Sequence, residues 1–329
     1  LITANNCPNS FILAKKKCLR EFRILVSSLN KSLDTTQIYQ CSNSWGEINF
    51  DKHVTSITMR KQSYAFQNLN KKGIERSHDN EKKIEDRKIC SRNYINYVNE
   101  CTEGTKKAKG KHVTMVDFVR SADRVSEFNT LERSIINNQW KNNGETIGKL
   151  GNLISVIDTS ASMEAENSHP LYSAIGLGIR IAQNSLLGKK VITFNSHPEF
   201  IDLEECEDFV ACVKKIRKAP WGMNTNFKST LELILKVAVE NNTAPAVMEN
   251  MTLMILSDMQ IDNCDPENNN TTMFELMKKK YEEAGLLTTY KIPYKLPHIV
   301  FWNLRSTKGF PNLSTTKNTT MISGSIPLA

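Results

Sequence analysis

Leu153-Ile154-Ser155-Val156-Ile157-Asp158-Thr159-Ser160-Ala161-Ser162 is the stretch whose reading decides the fold. A short, continuous apolar run stops abruptly on a carboxylate and closely spaced hydroxyls. Continuous rather than alternating apolar residues are what a strand covered on both faces requires. Outward from it the same kind of run recurs at 191–194, 251–256 and 298–302, with shorter ones at 200–203 and 321–323. Helical spacing of apolar residues fills the intervals 171–187, 206–216, 227–239 and 273–283. Strands alternating with helices predict a doubly wound, Rossmann-like parallel sheet with helices on both faces.

Upstream the period changes. Phe22, Leu25, Val26, Leu29 and Leu33 fall at helical spacing, as do Met59, Tyr64, Phe66 and Leu69, and helical patterns resume at 113–119 and 131–140. Residues 70–92 are rich in Lys, Glu, Asp and Arg and read as an exposed helix or a loop. Asn142-Asn143-Gly144 punctuates the chain. The expected organisation is therefore α followed by α/β, with a basic helical segment at 1–147 and an α/β domain at 148–329. A length of 329 residues exceeds what one core usually serves, which agrees with two domains.

Charge divides along nearly the same line. The net charge is +8. Residues 1–150 hold 26 Lys and Arg against 16 Asp and Glu, a balance of +10; the remainder hold 17 and 19, a balance of −2. A basic half suggests a polyanion partner. Its densest clusters are Lys15, Lys16, Lys17 and Arg20, with Arg23, and the loop residues Lys106, Lys107, Lys109 and Lys111. Each could neutralise one phosphate of an RNA, or lie on a merely solvated face. Trp45, Trp140, Trp221 and Trp302 could stack on bases, but their apolar neighbours favour core packing.

Several classes are disfavoured. Apolar residues make up 40% and charged residues 24%, with mean hydropathy −0.40, an ordinary globular composition. No apolar run approaches the ~20 residues of a membrane span, so no membrane partner is expected. Eight scattered cysteines without C-x-x-C spacing read as reduced thiols of an intracellular, cytoplasmic protein. The histidines have no metal-ligand spacing, and neither a G-x-S-x-G motif nor a phosphate-binding Gly-rich loop is present. Gly176-Leu177-Gly178 lies in a helical stretch and reads as tight helix packing. No catalytic nucleophile emerges, so a non-enzymatic binding protein is expected.

Ligand sites in such sheets lie beyond the carboxyl ends of the strands. Three features fall there: Asp158 with Ser160 and Ser162, Thr225 just before a helix, and Asp258 after the strand at 251–256. Two carboxylates and three hydroxyls are hard oxygen donors, suited to Mg²⁺ or Mn²⁺. Thr225 also suits a helix N-cap.

This layout resembles the metal-ion-dependent adhesion site of von Willebrand factor A (vWA) domains. The resemblance implies that Ser160, Ser162 and Thr225 bind the ion directly, that Asp158 and Asp258 do so directly or through water, and that an acidic residue of a protein partner completes the shell. Leu33-Asp34, Trp45-Gly46-Glu47-Ile48-Asn49-Phe50, Val54-Thr55-Ser56, Met59 and Tyr64-Ala65-Phe66 look like the TROVE module of the Ro ribonucleoprotein family. With Gln139-Trp140, Ser257-Asp258-Met259-Gln260 and Trp302-Asn303-Leu304-Arg305, the chain is most similar to an uncharacterised TROVE-like family of plants, fungi and large DNA viruses. That resemblance spans roughly residues 15–325 and implies binding of small structured RNA. About 150 residues before the vWA half are too few for a whole ring of helical repeats, and no initiator Met is present. The expectation is a chain short at both ends.

Overall fold

The computed structural model describes residues 8–70, 72–194, 197–220, 226–259, 270–305 and 318–324. The chain divides into two compact units, Leu1–Lys109 and Gly110–Ala329.

The first unit is helical: α1 (Pro8–Ser32), α2 (Thr36–Cys41), a 3-10 turn at Trp45–Glu47, α3 (Ser56–Phe66) and α4 (Glu81–Glu103). Side-chain caps set the starts of the last two helices. Thr55 Oγ1 accepts from the Thr58 amide and Asn80 Oδ1 from the Lys83 amide. Gly104, at φ 82°, closes α4 in the left-handed conformation that glycine tolerates. Phe50, Phe66 and Tyr94 form the centre of its core, with ring centroids 5.0 Å apart for Phe50–Phe66 and 5.3 Å for Phe50–Tyr94. The charged stretch at 70–92 divides: residues 72–80 are irregular apart from an isolated antiparallel bridge of Glu75 to Leu69, and helix follows from Glu81.

The second unit begins with two helices that the sequence assigns to the first: α5 (Met115–Arg124) and α6 (Thr130–Asn143). Beyond them come β1 (Asn152–Asp158), a 3-10 turn at Ala161–Glu164, α7 (Ala165–Asn184), β2 (Lys190–Phe194), β3 (Phe200–Asp202), α8 (Phe209–Arg217) and α9 (Phe227–Glu240). The unit ends with α10 (Pro245–Glu249), β4 (Met251–Ser257), α11 (Asn270–Leu287), β5 (His298–Asn303) and β6 (Thr319–Ser323). The boundary thus falls before α5, not at Gly144. The reason lies in α5 itself. Its buried face, Met115, Val116, Phe118, Val119 and Ala122, enters the same core as Ile157 of β1 and Leu171, Ile175 and Ile179 of α7.

The six strands form one sheet in the order β3-β2-β1-β4-β5-β6. All neighbours are parallel except β3, which runs antiparallel to β2. The all-parallel expectation fails at that edge because only five residues join β2 to β3. So short a link can reverse the chain, but it cannot make the crossover that a parallel pair needs. α7 covers one face, with α8 beside it and α5 and α6 packed on both; α9 and α11 belong to the core of the other face. β1 divides its side chains accordingly: Ile154 and Val156 join the second core, Ile157 the first.

Gly176 and Gly178 allow the close approach expected of them. A Cβ on Gly178 would lie 2.5 Å from Ile157 Cδ1, and one on Gly176 would lie 3.0 Å from Met115 Cβ. Between α6 and α7, the Arg180 guanidinium stacks 3.6 Å from the Trp140 ring and donates to the Trp140 carbonyl at 2.9 Å. Burial pushes Arg180 down to about 10. Trp140 and Trp302 are both buried, as core packing requires; Trp45 is half-buried and stacks under Arg87. Trp221 lies outside the described residues.

Candidate metal centre

The register of β1 on β4 positions the site. Ile157 stands opposite Leu256, so Asp158 and Ser257 come next to each other as the two central strands end. Chain order reverses at this point, because β2 lies on one side of β1 and β4 on the other. In open α/β sheets such a switch point, beyond the carboxyl ends of the strands, is where ligands bind.

Asp158 is wholly buried there. Its Oδ1 accepts from the Ser160 amide at 2.9 Å and its Oδ2 from Ser257 Oγ at 2.5 Å. Burial in low dielectric raises its carboxyl from the ordinary 3.8 to about 6; the Ser257 and Ser160 hydrogen bonds pull the other way, and Asp258 raises it further. The Ser160 and Ser162 hydroxyls lie 3.0 Å apart, and Ser162 Oγ donates to Asp258 Oδ1 at 3.3 Å. Asp258, which directly follows β4, is also buried. Thus Asp158, Ser160, Ser162 and Asp258, 100 residues apart at the extremes, form one hydrogen-bonded cluster. Thr225, the fifth predicted donor, lies outside the described residues. The N-cap of α9 is its neighbour Asn226, whose Oδ1 accepts from the Ser229 amide at 3.0 Å.

The donor set fits a small divalent cation. Adjacent oxygens around octahedral Mg²⁺, bound at ~2.1 Å, are about 3.0 Å apart. The Ser160–Ser162 and Ser162–Asp258 separations of 3.0 and 3.3 Å are hydrogen bonds in this structure, and they lie close to that edge length. The Thr159 hydroxyl, in the same loop, is buried and has no hydrogen-bond partner among the described residues. Among the described residues no group of three or more His, Cys, Asp or Glu is placed to hold a metal. A centre here therefore relies on hydroxyls as well as its two carboxylates.

Two contributors stand out only in three dimensions. Ser257 holds Asp158, and a parallel register between the two apolar runs would have revealed it. Arg305, just past β5, brings Nη1 to 3.5 Å from Asp258 Oδ2 and Nε to 3.3 Å from Glu166 Oε1. No local sequence signal connects these residues.

The basic residues do not gather. Lys15, Lys16, Lys17 and Arg20 lie exposed along α1. Lys106 pairs with Glu100 at 2.8 Å and Asp51 at 3.1 Å, and Lys109 donates to the Val54 carbonyl at 3.1 Å. Lys107 and Lys111 are exposed. Among the described residues no helix is long and apolar enough to cross a membrane.

Fold and site together define an α/β domain with a doubly covered, mostly parallel sheet and a carboxylate–hydroxyl cluster at its central carboxyl edge. Residues 152–327, more than half of the chain, match the family described as a domain of unknown function (DUF7788), and the chain belongs to that family. It is 29% identical over 313 residues to the uncharacterised protein L728 of Acanthamoeba polyphaga mimivirus, covering 93% of this chain and 50% of the relative. The chain thus spans about half the length of that curated relative. Among solved structures it is similar to proximal thread matrix protein 1 from the mussel byssus, at 12% identity and TM-score 0.34, over 55% of this chain and 44% of that one. It is also similar to the Deinococcus radiodurans Ro (RSR) protein, at 10% identity and TM-score 0.37, over 82% and 56% of the two chains.

Proposed function

We propose that this chain is a non-enzymatic binding protein whose second unit is a vWA-type domain. Its metal-ion-dependent adhesion site holds Mg²⁺ or Mn²⁺ and captures an acidic residue of a protein partner. The observation that carries the reading is the run of oxygens from Ser160 through Ser162 to Asp258, spaced like one edge after another of an octahedral shell. Ser160 and Ser162 act as neutral ligands. Asp158 orients the loop through the Ser160 amide, and Asp258 supplies charge. The ion would offer an open coordination position to an incoming carboxylate. Calorimetry tests this directly: the wild-type chain should bind Mg²⁺ and Mn²⁺, and Asp258→Ala should bind both ~100-fold more weakly or not at all. Equal affinities in the two proteins would overturn the metal centre.

A second reading, an RNA-binding ribonucleoprotein component of TROVE-like type, draws on the exposure of Lys15, Lys16, Lys17 and Arg20 along one helix. The internal contacts of Lys106 and Lys109 shift this reading from the loop to α1. Four phosphate contacts on single-stranded RNA imply an affinity that falls about 50-fold between 50 and 200 mM salt. Filter binding on wild type and on a variant with all four replaced by Ala measures this. Salt-insensitive binding, or binding unchanged in the variant, would rule it out.

A further inference from the structure

The metal-ligand carboxylate Asp258 already has a cation against it. Arg305 follows β5 closely, and its amide donates to Asn303 Oδ1 at 3.0 Å, which fixes where its side chain starts. The guanidinium spans two acids: Nη1 is 3.5 Å from Asp258 Oδ2 and Nε is 3.3 Å from Glu166 Oε1. The two acids differ in kind. The Asp258 side chain is fully buried, whereas the Glu166 side chain is 55% exposed and that of Arg305 is 23% exposed. Arg305 therefore sits at the lip of the site, with one edge inward on the metal ligand and the other outward on a replaceable carboxylate.

The backbone beneath Glu166 is unusual too. Glu166, Asn167 and Ser168 have φ of 54°, 60° and 59°, a left-handed run before the regular part of α7 begins near Pro170. Non-glycine residues in this region each cost on the order of 1 kcal/mol.

We propose that Arg305 is the second half of the ligand site: a partner's side-chain carboxylate binds the ion through one oxygen and Arg305 through the other, displacing Glu166. This rests on the metal-centre reading. An arginine N–H donates readily to a carboxylate oxygen, and Nε of Arg305 already does so to Glu166 Oε1. Charge selects the same class of ligand. Asp158 and Asp258 balance a divalent ion, and releasing Glu166 leaves Arg305 one positive charge, which one carboxylate neutralises. A polyphosphate strand would instead meet Glu164 and Glu166, both exposed at this rim.

The geometry makes opposite demands on Arg305, and that sets the test. A cation beside Asp258 opposes metal binding but assists carboxylate binding. On the full-length chain, Mn²⁺ affinity is measured by calorimetry. Binding of a capped peptide with one aspartate, and of its asparagine counterpart, is measured by fluorescence anisotropy with Mg²⁺ present. Arg305→Ala should bind Mn²⁺ several-fold more tightly and the aspartate peptide at least ten-fold more weakly. Glu166→Gln, an exposed change that leaves the core alone, should bind the aspartate peptide several-fold more tightly. Affinities for metal and peptide that fall together in Arg305→Ala, or a peptide affinity unchanged in both variants, would overturn the role of Arg305. Equal binding of the two peptides, or Arg305-dependent displacement of the peptide by an oligoribonucleotide, would overturn the carboxylate assignment. A wild-type chain that binds no Mn²⁺ would instead remove the metal centre itself, and the inference with it.

Discussion

A chain starting at Gly148 will show no cooperative unfolding transition, whereas one starting at Gly110 will melt sharply. The difference is α5 and α6. They contribute Met115, Val116, Phe118, Val119, Ile136 and Trp140 to the core that covers one face of the sheet. At ~1.5–3 kcal/mol for each large apolar side chain, their removal forfeits on the order of 10 kcal/mol. That rivals the whole stability of a typical domain, about 5–15 kcal/mol. The loss goes beyond area, because Arg180 would also lose its stacking on the Trp140 ring and its hydrogen bonds to the Trp140 carbonyl and Asn143 Oδ1. Thermal denaturation followed by circular dichroism measures both chains. A sharp transition of comparable midpoint in the 148–329 chain would contradict the assignment of these helices to the second unit.

Asp158→Asn, which removes one of the two charges that balance the ion, should weaken divalent-metal binding and at the same time stabilise the metal-free protein. The carboxyl is raised from 3.8 to about 6, chiefly by burial, so its ionised form is what the fold resists. A shift of about two units corresponds to about 3 kcal/mol at pH values where the group is charged in both states. Proton counting gives the sign. Between 3.8 and about 6 the folded chain holds more protons at this position than the unfolded chain does, so stability rises as pH falls through that window. Above it the penalty is fully present; below it both states are protonated and the penalty is gone. The neutral amide has the shape of the protonated acid, accepts from the Ser160 amide and escapes the penalty. In chelator-treated samples the variant should therefore exceed wild type by a few kcal/mol at about pH 8 and match it near pH 4. Urea denaturation at the two pH values reads the difference. A variant less stable than wild type at the higher pH would show that the bonds from Ser257 and Ser160 outweigh desolvation. Such a gain in stability on loss of a ligand is the trade-off expected where a site is maintained for binding.

Much of this architecture was legible because strand interiors and strand ends are chemically unlike. The runs in β1, β2, β4 and β5 are mostly apolar, since both faces are covered; β1 ends on Asp158 and β4 is followed directly by Asp258, at the edge where ligand sites lie. Asp158, Ser160, Ser162 and Asp258 come together at that edge, and Thr225 lies outside the described residues. The contacts of the loop lysines were not legible, for a simple reason. A Lys in a polar loop looks available for phosphate, yet Lys106 bridges Asp51 and Glu100, and Lys109 reaches the Val54 carbonyl. Those partners lie up to 55 residues away, beyond any local pattern. The domain boundary misled similarly. Asn142-Asn143-Gly144 is a genuine helix end, but a helix end is a domain end only when the helix packs away from the next elements of the chain.

The amino-acid order alone determined the strand and helix sequence, the burial of β1 and β4 on both faces, and the placing of Asp158 and Asp258 at strand ends. Each of these depends on composition over a few residues, where period and polarity act directly. Tertiary structure decided which helices belong to the sheet, the antiparallel turn of β3, the clasp of Ser257 on Asp158 and the reach of Arg305 to Asp258. Each of those depends on register or on packing between segments distant in the chain. Their energies come from apolar area shared across elements and from charges that meet only when the strands align.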